Sequence, residues 1–224
     1  MDNRKRGNLK SLVSSFGIVL KNRRYVYYVL QMGFAMGVLF ANISSSPFIV
    51  QQHYGFSAFE FSLFFGINAL AIGLAAGLSV KFKNPEHAMF LGSVGMTIMS
   101  AVEFVILSNE YHFAVYEAVL FVLLFSMGLT FTASTTLAMD CERANSGTAS
   151  ALFGAAGFAF GGIVSPLVGL GDILSTTGLI FFVCSVCSLC FSVFAMNQTH
   201  TNLWGSFKCK MGPVARFVFL RREK

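Results

Sequence analysis

Gly147–Pro166 reads GTASALFGAAGFAFGGIVSP. Its 20 residues are enough to cross a hydrocarbon core of ~30 Å as a helix. A lipid-facing anchor would carry Leu and Ile, but this stretch is made largely of Gly, Ala and Ser. Such a helix has little side chain to bury and is useful for letting neighbouring backbones come close. Gly157 and Gly161 form a GxxxG step, Gly147 and Ala151 form a small-xxx-small step before it, and Pro166 closes the stretch. The stretch predicts a helix packed inside a multi-helix membrane bundle, beside a cavity.

The rest of the chain supplies that bundle. It is 55% hydrophobic and only 12% charged, against about 25% charged in a soluble domain. Six apolar runs, at 25–46, 61–80, 88–107, 113–139, 147–168 and 173–196, each reach spanning length. They are continuously apolar, without the alternation of barrel strands, so they predict helices. The expected fold class is an all-α integral membrane protein with six transmembrane helices. The expected organisation is a basic segment at 1–24, the bundle at 25–196 and a basic tail at 197–224.

Charge placement orients the bundle. Of the 16 Lys and Arg, seven precede the first run, two (Lys81, Lys83) follow the second, one (Arg143) follows the fourth and six follow the last. The first, third and fifth connections carry none, so the positive-inside rule predicts both termini in the cytoplasm of a multi-pass cell-membrane protein. The net charge of +6 therefore points to a membrane surface and not to nucleic acid. Two readings of 1–24 stand: an interfacial helix with Leu9, Leu12, Val13, Phe16 and Leu20 on one face, or a disordered basic tail. The end of the chain, with Trp204 and RFVFLRREK, either meets anionic lipid or is simply solvated.

Polar groups within spans are the functional candidates. Gln31 and Asn42, eleven residues apart, share a face of the first helix; Asn68 lies mid-span in the second. The fourth has a row of hydroxyls including Thr130 and Ser134. These residues can line a solute cavity, or they can bond between helices and back to their own carbonyls. Glu103, a turn from the end of its span, is a candidate proton site or a carboxylate reaching the outer interface; Glu60 and Glu117 sit at span ends and read as interfacial. Cys184, Cys187 and Cys190 step around a continuous apolar helix, which predicts packing and not a metal site. No catalytic motif and no cofactor signature is found, so an enzyme is not expected.

Three blocks carry a family resemblance. SPFIVQQHYGFS at 46–57 and FSLFFGINALAIG at 61–73 resemble the seventh and eighth helices of drug:proton antiporters of the bicyclomycin-resistance (Bcr/CflA) type, within the major facilitator superfamily. LAMDCERANSGTASALFG at 137–154 is similar to the join between their tenth and eleventh helices. The resemblance covers about residues 10–196 and implies the carboxy-terminal six-helix half of a two-half transporter, itself a 3+3 inverted repeat. It implies that the first and fourth helices line the cavity, that the second and fifth flank it at the interface between halves, and that the third and sixth face lipid. This favours Gln31, Asn42 and Asn68 as cavity residues and demotes Glu103. The chain starts in what would be the linker, so the first half and its coupling acids are expected to be missing.

Two functional classes follow. One is a multidrug antiporter component in the inner membrane that exports a small amphipathic solute, paired with a separately encoded first half or with itself as a homodimer. The other is a truncated, non-transporting membrane protein or interaction module.

Overall fold

The computed structural model describes residues 16–210, with side chains over 16–198. Most of the basic segment 1–24, the RFVFLRREK end and the Trp204 side chain lie outside these. Among the described residues, six long helices occupy the apolar runs: α1 (Arg23–Pro47), α2 (Ala58–Ser79), α3 (Pro85–Ser108), α4 (Phe113–Cys141), α5 (Ser146–Leu167) and α6 (Ile173–Lys210). Each is long and apolar enough to span a membrane. Residues 16–21 are helical, with Val19 buried between exposed Ile18 and Leu20.

Local chemistry sets the starts. Asn22 caps α1 by accepting from the Tyr25 amide. Ser57 and Glu60 close a capping box, so α2 begins at Ala58, three residues before its apolar run. Pro85 begins α3, where its missing N–H costs nothing.

Two ends differ from the sequence reading. The first helix was expected to stop at Ser46, before Pro47. Instead the backbone widens into a π-helix over Phe48–His53, with the Tyr54 amide donating to the Ile49 carbonyl at 3.0 Å. The widened segment follows Pro47, whose missing N–H interrupts the α-helical ladder, and Ile49 and Val50 are buried there. The last helix continues past Met196 to Lys210, because no proline interrupts it where the apolar run stops.

The principal packing pairs are α3 with α4, α1 with α6, α3 with α6, α2 with α4, α1 with α5 and α1 with α4. Shifting every helix number by three returns the same set. Helices three apart run in opposite directions, so the bundle is a 3+3 inverted repeat, the arrangement that the resemblance implies. Where helices cross, glycine is required: a Cβ on Gly128 of α4 would sit 2.6 Å from the Ile72 carbonyl oxygen of α2.

The ends of the bundle are tied separately. At the basic end, Arg24 pairs with Glu86 at 2.8 Å and the Asn22 amide donates to Glu142 at 2.7 Å. At the far end, the Tyr54 hydroxyl donates to the Tyr111 carbonyl at 2.9 Å.

Candidate functional site

The α1–α4 pair is backed by α3 and α6 and flanked by α2 and α5, and among the described residues no principal pair covers its other side. Helical geometry says which residues face that side. On α4, the arc between Ser134, which meets α1, and Gly128, which meets α2, carries Phe131, Thr135 and Glu117. On α1, the arc between Gln31 and Met36, which meets α5, carries Leu39 and Ile43. These residues are incompletely covered. The flanking helices are open too: Leu70 and Leu74 of α2 are 65% and 64% exposed, and Phe158 and Ile163 of α5 are 69% and 67% exposed.

Most of the residues expected to line a cavity are found elsewhere. Gln31 is fully buried and donates to the Ser188 hydroxyl of α6 at 3.0 Å. The single Ser134 hydroxyl proton is shared between the Gln31 carbonyl oxygen and, at 2.7 Å, the Thr130 carbonyl. Thr130 is fully buried and donates to the Met89 carbonyl of α3 at 3.3 Å. Asn42 is buried and accepts from Ser46 at 2.8 Å. Gln31, Asn42, Thr130 and Ser134 thus point into the bundle. A polar group in a lipid-embedded bundle gains most from a fixed partner, and these have found theirs inside. The open arc instead carries Thr135, whose hydroxyl bonds back to Phe131 at 2.8 Å.

Asn68 is the exception. It is buried on α2 but reaches that arc, donating to Glu117 at 2.9 Å, while its own carbonyl oxygen has no partner. Glu117 was read as interfacial, yet it lies half-buried in a groove between α2 and α4 lined by Phe64, Ile67, Phe113 and Phe121. Glu103 does not reach the interface either. It is 0% exposed, and neither carboxyl oxygen has a hydrogen-bond partner. Tyr116 is fully buried beside Ser46 without meeting hydrogen-bond geometry. Glu103 and Glu117 are neighbours, and Tyr116 lies near both. The sequence held a signal for this pairing. Glu103 lies five residues before the end of α3 and Glu117 four after the start of α4, so the short hairpin sets them at nearly equal depth.

Just outside the spans, burial raises the Tyr54 hydroxyl above its ordinary pKa, with the neighbouring acidic side chains of Glu103 and Glu110 as lesser causes. The Asp172 carboxyl lies below its usual range because the Ser175 amide donates to it at 2.9 Å.

The small residues of α5 divide between two faces. Gly157 and Gly161 are buried on α1, where added Cβ atoms would press on Met32 and Phe40. Gly147, Ala151 and Pro166 are exposed, and a Cβ at Gly147 would meet nothing within 4 Å. The first small-residue step therefore packs nothing inside this bundle. Cys184, Cys187 and Cys190 range from buried to exposed and do not converge.

Comparison with known proteins agrees with this architecture. The Major Facilitator Superfamily model matches residues 2–166. A Bacillus subtilis (strain 168) protein described as the uncharacterized MFS-type transporter YdgK is 35% identical over 178 residues, which is 78% of this chain. The chain spans 44% of that relative's length.

Proposed function

We propose, from the premise that this chain belongs to the major facilitator superfamily, that it works as one of two six-helix bundles in a proton-coupled exporter of small amphipathic solutes. The observation that carries this reading is the uncovered side of the α1–α4 pair. It is bordered by two helices, α2 and α5, whose exposed faces are apolar and, on α5, built from small residues. Alternating access needs two bundles moving around a midplane site, and these borders suit the second bundle. The open arc offers Leu39, Ile43 and Phe131 with the Thr135 hydroxyl and Glu117, a lining that suits an amphipathic solute and not a strongly charged one. In this reading the protein is an antiporter of the bicyclomycin-resistance type in the inner membrane, with the basic end in the cytoplasm.

The partner is a first-half bundle, with a second copy of this chain as the competing occupant of the same borders. The test measures efflux of a fluorescent amphipathic cation from cells making this chain alone or together with a first-half bundle of the family. Efflux is expected only with the first half. Efflux by the chain alone assigns the homodimer, and none in either case overturns transport in favour of a non-transporting membrane protein.

A further inference from the structure

We propose that Glu103 and Glu117 form a proton-binding pair at the far end of the bundle, with a resident proton on Glu103 and Glu117 as its connection to the groove. The proposal deepens the proton-coupled part of the reading above and rests on it only for the use made of the proton.

Three buried groups on three helices lack partners: both oxygens of Glu103 on α3, the Tyr116 hydroxyl on α4 and the carbonyl oxygen of Asn68 on α2. Glu117 links them, since Glu103 and Tyr116 are its neighbours and the Asn68 amide donates to it. An ionised carboxylate there would be fully buried with neither oxygen hydrogen-bonded and at most the Tyr116 hydroxyl in reach as a donor, a costly state for a charge. No Lys or Arg is at hand as a counter-ion, since none occurs between Arg24 and Lys81, between Lys83 and Arg143, or from there to Lys208. Protonated, Glu103 is neutral and can both donate and accept.

The groups facing it are few. Tyr54 follows α1 and Glu110 lies in the α3–α4 connection, while Tyr116 and Glu117 stand on α4. Asn68 is the contribution of α2, whose one acid, Glu60, is exposed and held by Ser57. From α6, which meets Phe104 at Gly178, comes the unpartnered Thr177 and no charged side chain. His53, His112 and Asp172 lie beyond, at the exposed surface. Access is one-sided. Glu103 is sealed, whereas Glu117 opens on the aromatic groove and is held by the Asn68 amide. A proton from water in that groove would reach Glu117 first.

Infrared spectroscopy of the purified full chain in lipid nanodiscs reads the site directly. At about pH 7, where an ordinary carboxyl is ionised, the protein is expected to show a protonated-carboxyl stretching band. Glu103→Gln should abolish the band, Glu117→Gln and Asn68→Leu should shift it, and the control Glu60→Gln should leave it alone. Should Glu103→Gln give no folded protein, Glu103→Asp must move the band instead. A wild-type protein without the band, or a band that survives Glu103→Gln, overturns the proposal. A band that sodium chloride removes and choline chloride does not would assign a metal cation and overturn it equally. No transport is measured, so absent efflux leaves the site standing and an absent band leaves the export reading standing.

Discussion

Gln31 and Glu103 are both fully buried, both polar and both inside a bundle of apolar helices, yet their surroundings are opposite. The Gln31 side chain uses both ends: its amide donates to Ser188 and its carbonyl oxygen accepts from Ser134. It joins α1 to α4 and α6 with its hydrogen-bonding capacity in use. Glu103 joins nothing, and neither of its oxygens is bonded. In a bilayer the first arrangement fixes helices in place. The second is what a bound proton would complete, by removing the charge and supplying a donor. Reading polar residues in spans as one class hides this division between fixing helices and holding a ligand.

Exchanging the chemistry of the two positions gives the largest expected effect. Gln31→Glu turns a donor into an acceptor opposite Ser188 and adds charge where every partner is committed. We expect a loss of about 3 kcal/mol at neutral pH, in the range of an uncompensated buried charge. Unfolding in detergent monitored by circular dichroism measures it. A loss below about 1 kcal/mol would mean that the Gln31 site accommodates charge as the Glu103 site does, and the contrast would fail.

Tyr25 extends the comparison at smaller scale. It is fully buried near the basic end and its hydroxyl donates to the Ala149 carbonyl of α5 at 2.7 Å. Tyr25→Phe should cost about 1 kcal/mol, one net hydrogen bond. The same unfolding curves would reveal it, and an unchanged midpoint would deny this bond a structural role.

Much of this architecture was legible in the sequence. Run length and continuous apolarity placed six helices because a bilayer permits few alternatives. The π-turn after Pro47 was not legible, since proline signals a break and burial of Ile49 and Val50 overrode it. The sequence put Gln31 and Asn42 on one face, but whether that face met a cavity or another helix depended on how α1 is rotated in the bundle. The twofold use of α5 was partly readable: Gly157 and Gly161 recur on one face, but nothing in the spacing said that Gly147 and Ala151 would be left uncovered. Glu117 was passed over because a residue near a span end reads as interfacial, and only its bond to Asn68 shows otherwise.

The far end is not short of partners everywhere, and Asp172 makes the comparison sharper. Its carboxylate caps α6 through the Ser175 amide. Asp172→Ala should cost about 0.5–1 kcal/mol. That bond lowers the folded-state pKa relative to the unfolded chain. The cap therefore stabilises fully above the unfolded aspartate value of about 3.9 and fades as pH falls through the lower folded one. Unfolding midpoints of wild type and variant should converge in acid and separate near neutrality; a gap independent of pH would assign the cap to something other than the charge.

The smallest expected effect is the most discriminating. Tyr116 is the far-end counterpart of Tyr25: fully buried, against Ser46 and near both Glu103 and Glu117, but with a hydroxyl that bonds to nothing. Ser46 is already committed as a donor to Asn42 at 2.8 Å. Removing an unbonded buried hydroxyl also removes its desolvation penalty, so Tyr116→Phe should change stability by less than about 0.5 kcal/mol or raise it. If it cost as much as Tyr25→Phe, Tyr116 would be bonding to Ser46 or to a carboxyl in solution, and the far-end cluster would be bonded like the Gln31 one. If it cost nothing while shifting the carboxyl band of Glu103, the hydroxyl would be sensing the proton without holding the fold together. That outcome would place the difference between the two clusters in what they bind and not in how tightly they pack.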